Sequence, residues 1–502
     1  MTQTYIVIFY LCLLLGLGYI SGRLFRGNSS DFFVASRSIG PVVLFMSIFG
    51  TTMTAFAMVG STGESFRVGV ATYGKIASSS ALIHSACFFM VGLPLWKLGK
   101  RNGFHTQVEF FRERFESSKL GYLLFPILVG LIIPYLLVGL MGAGTVMQGV
   151  TRGAFPELFP STGGAVPPWL TSLVISCVVL YYIFAGGVRS AAWANTFQTI
   201  VFIIMGFIAF MTISSKLGGM QAASAMGDPA KAVRSGNITE QQFLSYCLIP
   251  LSVGMFPHLF QNCLTAKSSK SFRLTFIAHP IAIMLTWIPC ILIGFWATGA
   301  VMPGTGVPLI PEGASPNAVL GIMVGKLTTP VIGGLVTAGI LAAIMSSLDS
   351  QFVAVGTMFT KDIVVHKFGK ERFSEKQLVL LARGFICLIV FVTFLFTLVE
   401  PRQVFSLGIW CFSGFAGLFP LVFAAIYWKR ATKAGAYAAV VAAAVSWFLL
   451  FQASGYGANS GFMVGGAMPV VVVFASCAIA MVAVSLATQT PSRATLAKFF
   501  MK

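Results

Sequence analysis

The stretch MSIFGTTMTAFAMVGSTG, residues 46–63, sits inside an apolar run long enough to cross a bilayer, yet it carries Gly50 and a cluster of hydroxyls around it. A second run, LIPLSVGMFPHLF at 248–260, is interrupted by Pro250, Gly254 and Pro257. Glycine and proline are common in membrane helices and often do no more than kink them. Two interrupted helices in corresponding positions of two halves, however, point to a transporter built from inverted repeats. These two lie five expected spans apart.

The composition sets the frame for that reading. The 502 residues are 57% hydrophobic and only 9% charged, with mean hydropathy +0.87. So apolar a chain cannot cover itself in water, and soluble domains carry about 25% charged residues. In lipid only helices and closed barrels satisfy every backbone group. Apolar runs near 20 residues, rather than ten-residue alternations, select helices. The expectation is an all-α membrane protein of about 13 transmembrane helices. The windows fall at 4–24, 39–66, 73–97, 119–148, 168–186, 196–216, 242–264, 272–300, 330–361, 377–400, 402–428, 432–453 and 467–489. Residues 99–118 read as a surface helix and 217–241 as a polar connection.

The net charge of +19 does not indicate nucleic acid, because the basic residues cluster in short loops between apolar runs. Roughly 24 of them follow odd-numbered segments or lie in the C-terminal tail, against roughly 8 elsewhere, which predicts an outside N-terminus and a cytoplasmic C-terminus. The expected location is the plasma or inner membrane. All nine Cys fall in apolar runs and read as packing residues, not a disulfide framework. No kinase, nucleotide or metal motif is present, the five His lack metal-ligand spacing, and no enzyme activity or cofactor is expected.

The ninth segment contains AAIMSSLDSQFVAVGTMFTKD, residues 342–362. At about 100° per residue, Ala343, Ser346, Ser347, Asp349, Ser350, Thr357 and Thr360 share less than half the wheel. Such a stripe is costly against lipid and is tolerated against a cavity or another helix. Adjacent hydroxyls and free carbonyls suit a hard cation. The alternative, Ser hydroxyls bonding back to carbonyls four residues earlier, accounts for one Ser more readily than for four polar residues including an Asp.

These stretches together resemble the sodium:solute symporter family, the group of bacterial proline, pantothenate and sugar symporters. The resemblance rests on FFVASRSIGPVVLFMSIFGTTMTAFAMVGSTGESFRVG (32–69), YYIFAGGVRSAAWANTFQ (181–198), FPHLFQNCLTAKSSKSFR (256–273), the ninth segment, and FPLVFAAIYWKRATKAGAYAA (419–439). It covers nearly the whole chain. It implies a LeuT-type core in a single transporter domain, 1–502. An extra helix at 4–24 precedes repeats at 39–216 and 242–428, and two C-terminal helices follow at 432–489. It implies sodium-coupled import of a small solute, such as an organic acid or amino acid, by alternating access. A related membrane sensor that signals solute to a partner is the alternative. The implied partners are the solute, sodium ion and the lipid bilayer.

Carried over residue by residue, the principal sodium site uses carbonyls of Gly50, Met53 and Ala343 and hydroxyls of Ser346 and Ser347. Two departures stand out. Several relatives carry Asp where this chain has Asn195, and Ser where it has Asp349. The implied second cation site, Asn195, Asp349 and Ser350, therefore keeps one carboxylate but on another helix. Alternatively Asp349 lies on an ion exit path or is a protonated packing residue. Proline-type relatives carry Asp where this chain has Thr52. The implied solute residues are Thr52, Thr54, Phe56, Ala57, Ser252, Val253 and Phe256, an uncharged set that fits an anion or neutral solute better than a cation. Lys75 and His84 are further candidates for meeting a carboxylate.

Overall fold

The computed structural model describes residues 2–23, 32–33, 35–302, 304–399 and 403–500, whose regular structure is helical, without strands. The ends of three expected spans, at Leu24, Glu400 and Arg402, lie outside the described residues. In chain order the main helices are α1 (Thr2–Arg23), α2 (Pro41–Thr52), α3 (Phe56–Val68), α4 (Tyr73–Asn102), α5 (Gln107–Arg114) and α6 (Ser118–Val150). They continue with α7 (Pro168–Lys216), α8 (Glu240–Gly254), α9 (Pro257–Leu264), α10 (Ser269–Trp296), α11 (Val319–Leu327) and α12 (Pro330–Phe368). The last are α13 (Glu375–Thr397), α14 (Val404–Tyr427), α15 (Lys433–Ala453), α16 (Pro469–Ala487) and α17 (Arg493–Phe500).

Both interrupted runs are bent. α2 meets α3 at 56° and α8 meets α9 at 48°. The causes are local. Proline at the start of α9 cannot donate to the preceding turn, and the chain at Met53 is extended (φ −88°, ψ 100°). Among the described residues ten helices are long and apolar enough to cross a membrane, or twelve when each bent pair counts as one. That differs from thirteen at one place. Segments 168–186 and 196–216 of the sequence reading belong to the single 49-residue run α7. This run is not straight, because Gly186 (φ −153°, ψ 15°) and Gly187 (φ 56°, ψ −137°) leave the helical region. At that bend Arg383 of α13 donates to the carbonyl of Phe184.

Two helices occupy the centre. In α12 and α14, 83% of the apolar window is buried inside the protein, against 28% in α1, α15 and α16. α12 is surrounded by α7, α1, α6, α2 and α9. A helix covered on every side has no lipid face, so its polar stripe meets protein rather than hydrocarbon.

Gly187 tests this architecture. A Cβ there would stand 2.6 Å from the Phe32 carbonyl oxygen, in a backbone region that is nearly closed to other residues. Gly187→Ala is expected to cost on the order of 1–3 kcal/mol in backbone strain alone. A lower midpoint in thermal unfolding of the detergent-solubilised protein checks it; an unchanged midpoint would show that the bend is soft.

Candidate functional site

The site begins where α2 stops. Thr52 turns its hydroxyl back to Phe49 O (2.7 Å) and the Met53 N–H bonds the same carbonyl (3.1 Å). Past the break, the Phe56 N–H bonds the Thr54 hydroxyl (2.9 Å) instead of the Thr52 carbonyl. The N–H groups of Ala57 and Met58 both bond Thr54 O (3.0 and 3.2 Å). The carbonyls of Thr52 and Met53 thus lose their ordinary helical donors. Buried acceptors without donors are expensive in a membrane, and a cation is one way to use them.

Gly50 brings α2 against the ninth-segment serines. A Cβ on it would lie 2.7 Å from the Ser346 hydroxyl and closer still to the Thr199 hydroxyl of α7, so only glycine fits without displacing both. Ser346 and Ala343 are fully buried and Ser347 nearly so. The Ser347 hydroxyl accepts from Gln351 Nε2 (2.6 Å) and also faces the hydroxyl of Tyr135, which reaches Thr54 as well. Of the five residues expected around sodium, Gly50 and Ser346 are therefore in direct apposition.

Beside them Asn195, Asp349 and Ser350 form one network. With the Asn195 amide oriented as the surrounding acceptors require, its nitrogen donates to Asp349 Oδ2 (2.9 Å) and to Ser346 O (3.0 Å). Its oxygen accepts from Ser350 Oγ (2.9 Å) and Thr51 Oγ1 (3.2 Å). Tyr182 donates to Asp349 Oδ2 (3.1 Å). Thr51 and Ser350 hydroxyls lie 2.8 Å apart. Asp349 is fully buried, and its partners are Tyr182, Ser350 and Asn195 rather than any Lys or Arg among the described residues. Sequence reasoning missed Thr51, Thr199, Tyr182 and Gln351. Thr51 lay in plain view within the GTT run, whereas a lone Tyr or Gln in an apolar span carries no signal of its direction.

The expected solute residues divide. Thr52, Phe56, Ser252, Val253 and Phe256 line one cavity of about 30 Å³ between the two breaks, and His84, Tyr135 and Trp287 are among its other walls. Thr54 and Ala57 do not line it; the Thr54 hydroxyl is occupied at the start of α3. The cavity has no Lys, Arg, Asp or Glu in its walls. Its volume is that of about one water molecule, so this conformation is closed around the site. Lys75 does not reach the cavity. It is buried against Glu64, with Nζ 2.5 Å from Oε1, because a buried ammonium without a partner is prohibitive. His84 lies against His279 (3.4 Å between ring nitrogens).

Residues 32–443 match the model of the sodium:solute symporter family. The chain belongs to that family. It is 26% identical over 456 residues to sodium/proline symporter 2 of Staphylococcus saprophyticus, covering 88% of this chain and 85% of that protein. It is 25% identical over 471 residues to the sodium/proline symporter of Staphylococcus aureus, with the same coverage. Its fold is similar to that of a Na+-coupled sialic acid symporter solved substrate-bound and outward-open (TM-score 0.73, 18% identity, 98% of this chain and 99% of the other). A nucleobase-cation-symport-1 family transporter in a closed conformation is also similar (TM-score 0.56, 15% identity, 94% and 98%). The fold is LeuT-type. The chain is a multi-pass membrane protein whose activity is sodium-coupled symport of a small solute.

Gly50→Ala, which drives a methyl group into Ser346 and Thr199, is expected to lower sodium-dependent uptake at least about tenfold, ~1.4 kcal/mol, at normal abundance in the membrane. Uptake within about twofold of the parent would show that the α2–α12 contact is slack.

Proposed function

We propose that this symporter imports a small neutral or anionic organic solute, held between the two helix breaks, with sodium bound by the carbonyls of Gly50, Met53 and Ala343 and the hydroxyls of Ser346 and Ser347. The observation that carries the reading is the contact of Gly50, at the break, with Ser346 on a helix buried all round. Sodium needs several oxygen ligands, and released carbonyls with adjacent hydroxyls supply them without a fixed charge. The ion then brings the only charge to the site, and holding it ties α2 to α12. Uncharged cavity walls and Thr52, where the proline-type relatives carry Asp, disfavour a solute that relies on an ammonium contact at that position.

The proposed cycle alternates access about this centre. Repeats 39–216 and 242–428 move relative to one another, the helix at 4–24 and the pair at 432–489 lie outside them, and α7 crosses the membrane twice at its glycine bend. That gives thirteen crossings, consistent with an outside N-terminus, a cytoplasmic C-terminus and a plasma-membrane location. A second cation sits at Asn195, Asp349 and Ser350, where a buried carboxylate has three neutral hydrogen-bonding partners and, among the described residues, no cationic one. The deciding experiment is uptake by proteoliposomes under an inward sodium gradient, screened over organic acids, amino acids and sugars. Uptake that runs equally well in potassium would overturn the coupling.

Removing one hydroxyl ligand is expected to be costly. Ser346→Ala and Ser347→Ala should each lower apparent sodium affinity at least about tenfold, ~1.4 kcal/mol, and unchanged sodium dependence in both would dissolve the assignment. Asp349→Asn, which removes the charge at nearly constant shape, should lower the sodium Hill coefficient from about two toward about one. A parent coefficient near one, unmoved by Asp349→Asn, would leave a single sodium per cycle.

A further inference from the structure

The wall above the central cavity holds a charged cluster that the proposed symport cycle does not use. Glu64 of α3 is buried and accepts from two cations. Lys75 Nζ and Arg67 Nη2 reach its Oε1 at 2.5 and 2.9 Å, and Arg67 Nε reaches its Oε2 at 3.0 Å. Among the described residues, two cations against one carboxylate leave a surplus of one positive charge. Lys231 adds another close by, its Nζ bonded to the carbonyl of Phe66 (2.9 Å). Glu64 balances the buried Lys75, so the surplus falls on the exposed Arg67, where an anion from outside the chain can meet it.

The position of the cluster says what reaches it. Glu64, Arg67 and Lys75 line a second cavity with Gln242, Gln403 and Trp410. Arg67 keeps 38% of its side chain exposed, and Gln403 Nε2 is buried without a hydrogen-bond partner. An exposed guanidinium, whose Nε and Nη2 already hold Glu64, and an amide nitrogen without a partner thus border one small space beside an indole ring. A guanidinium fits two coplanar oxygens better than a spherical halide. The space also adjoins the central cavity: Lys75 Nζ stands 5.0 Å above the Phe405 ring, and Phe405 stacks on Phe56 (5.0 Å between centroids), which lines the central cavity.

We infer that Arg67, Lys75 and Gln403 form a separate outer subsite that takes the carboxylate of an anionic solute before it passes the Phe405–Phe56 stack into the central cavity. This rests on the reading of an outward-facing loop 217–241 and of a neutral or anionic solute. The subsite supplies the positive charge that the central cavity lacks, so recognition of the carboxylate and of the remaining solute occur at different depths. The cavity is about 30 Å³ here, so a solute enters only as the wall carrying Asn459, Ser460 and Phe462 gives way.

The test is protection of a cysteine placed at the rim. Ser460→Cys in the full chain is labelled with a maleimide in sodium-free buffer, and its rate is read by peptide-resolved mass spectrometry, so that the native cysteines do not interfere. Potassium propionate is expected to slow labelling saturably, whereas propionamide and potassium chloride leave it unchanged. Arg67→Gln should raise the half-protecting propionate concentration at least about tenfold, Arg67→Lys should retain part of the protection, and Ser347→Ala should retain all of it. Equal protection by propionamide or chloride, protection that survives Arg67→Gln, or protection lost in Ser347→Ala would overturn the subsite. A parent-like labelling rate of the Arg67→Gln protein without propionate certifies its fold. Labelling in sealed, oriented vesicles tests the orientation separately. Should Ser460→Cys react only from the cytoplasmic side, the topology falls, while protection in solubilised protein still decides the subsite.

Discussion

A helix that stops in the middle of a membrane leaves backbone carbonyls with nothing to bond, and hydrocarbon offers them no relief. Much of the centre of this molecule is arranged around that constraint. The break after Thr52 is tolerated because it lies inside protein. Thr54 supplies both a hydroxyl and a carbonyl to restart the helix, and the glycine one turn earlier admits α12 to close contact. The second break, before Pro257, faces the first across the small cavity to which both contribute residues. Irregular backbone therefore appears where two broken helices meet a shared space, the arrangement expected of alternating-access transporters.

The burial of α12 follows from the same logic. Its stripe of Ser, Asp and Thr is unaffordable against lipid, and α7, α1, α6, α2 and α9 cover it. Asp349 is the extreme case. It is held by the Tyr182 hydroxyl and the Asn195 amide, both neutral, on the helix that also bends at Gly186 and Gly187. A carboxylate among neutral donors is stabilised by a cation or a proton in a way that a salt-bridged one is not. The contrast with Glu64 is instructive. That carboxylate is equally buried but already has two cationic partners, so it anchors α3 to α4 and leaves no vacancy for a metal ion.

Much of this was legible in the sequence, for reasons that differ by feature. The breaks could be read because Gly50, Pro250, Gly254 and Pro257 act on the backbone locally. The buried face of the ninth segment could be read because hydroxyls at helical spacing have one economical explanation. The count of spans was harder: 168–186 and 196–216 look like two segments, whereas the chain bends without leaving helical hydrogen bonding for long. Lys75 invited a functional reading because its partner, Glu64, lies across a turn that no periodicity predicts. Thr54 looked like a solute ligand because a hydroxyl's direction depends on where the helix restarts, and a shift of two residues exchanges lining for capping. Tyr182 and Gln351 were invisible for the same reason.

The absence of charged side chains from the central cavity walls bears on coupling. A fixed charge there would bind solute of opposite sign in every conformation, and a ligand with equal affinity for two states shifts nothing. Moving an equilibrium from about 1:99 to 99:1 needs roughly 5.5 kcal/mol of differential binding. Oxygen ligands divided between α2 and α12 provide such a difference, because their separation changes as the two helices move and an ion tolerates little error in ligand distance. In the proposed site Gly50 and Met53 lie on α2 and at its break and Ala343, Ser346 and Ser347 on the other helix. The ion is then bound well only when the two are together. The same approach brings Thr52 and Phe56, on either side of the break, toward the solute, so that sodium and solute favour the same conformation without touching each other.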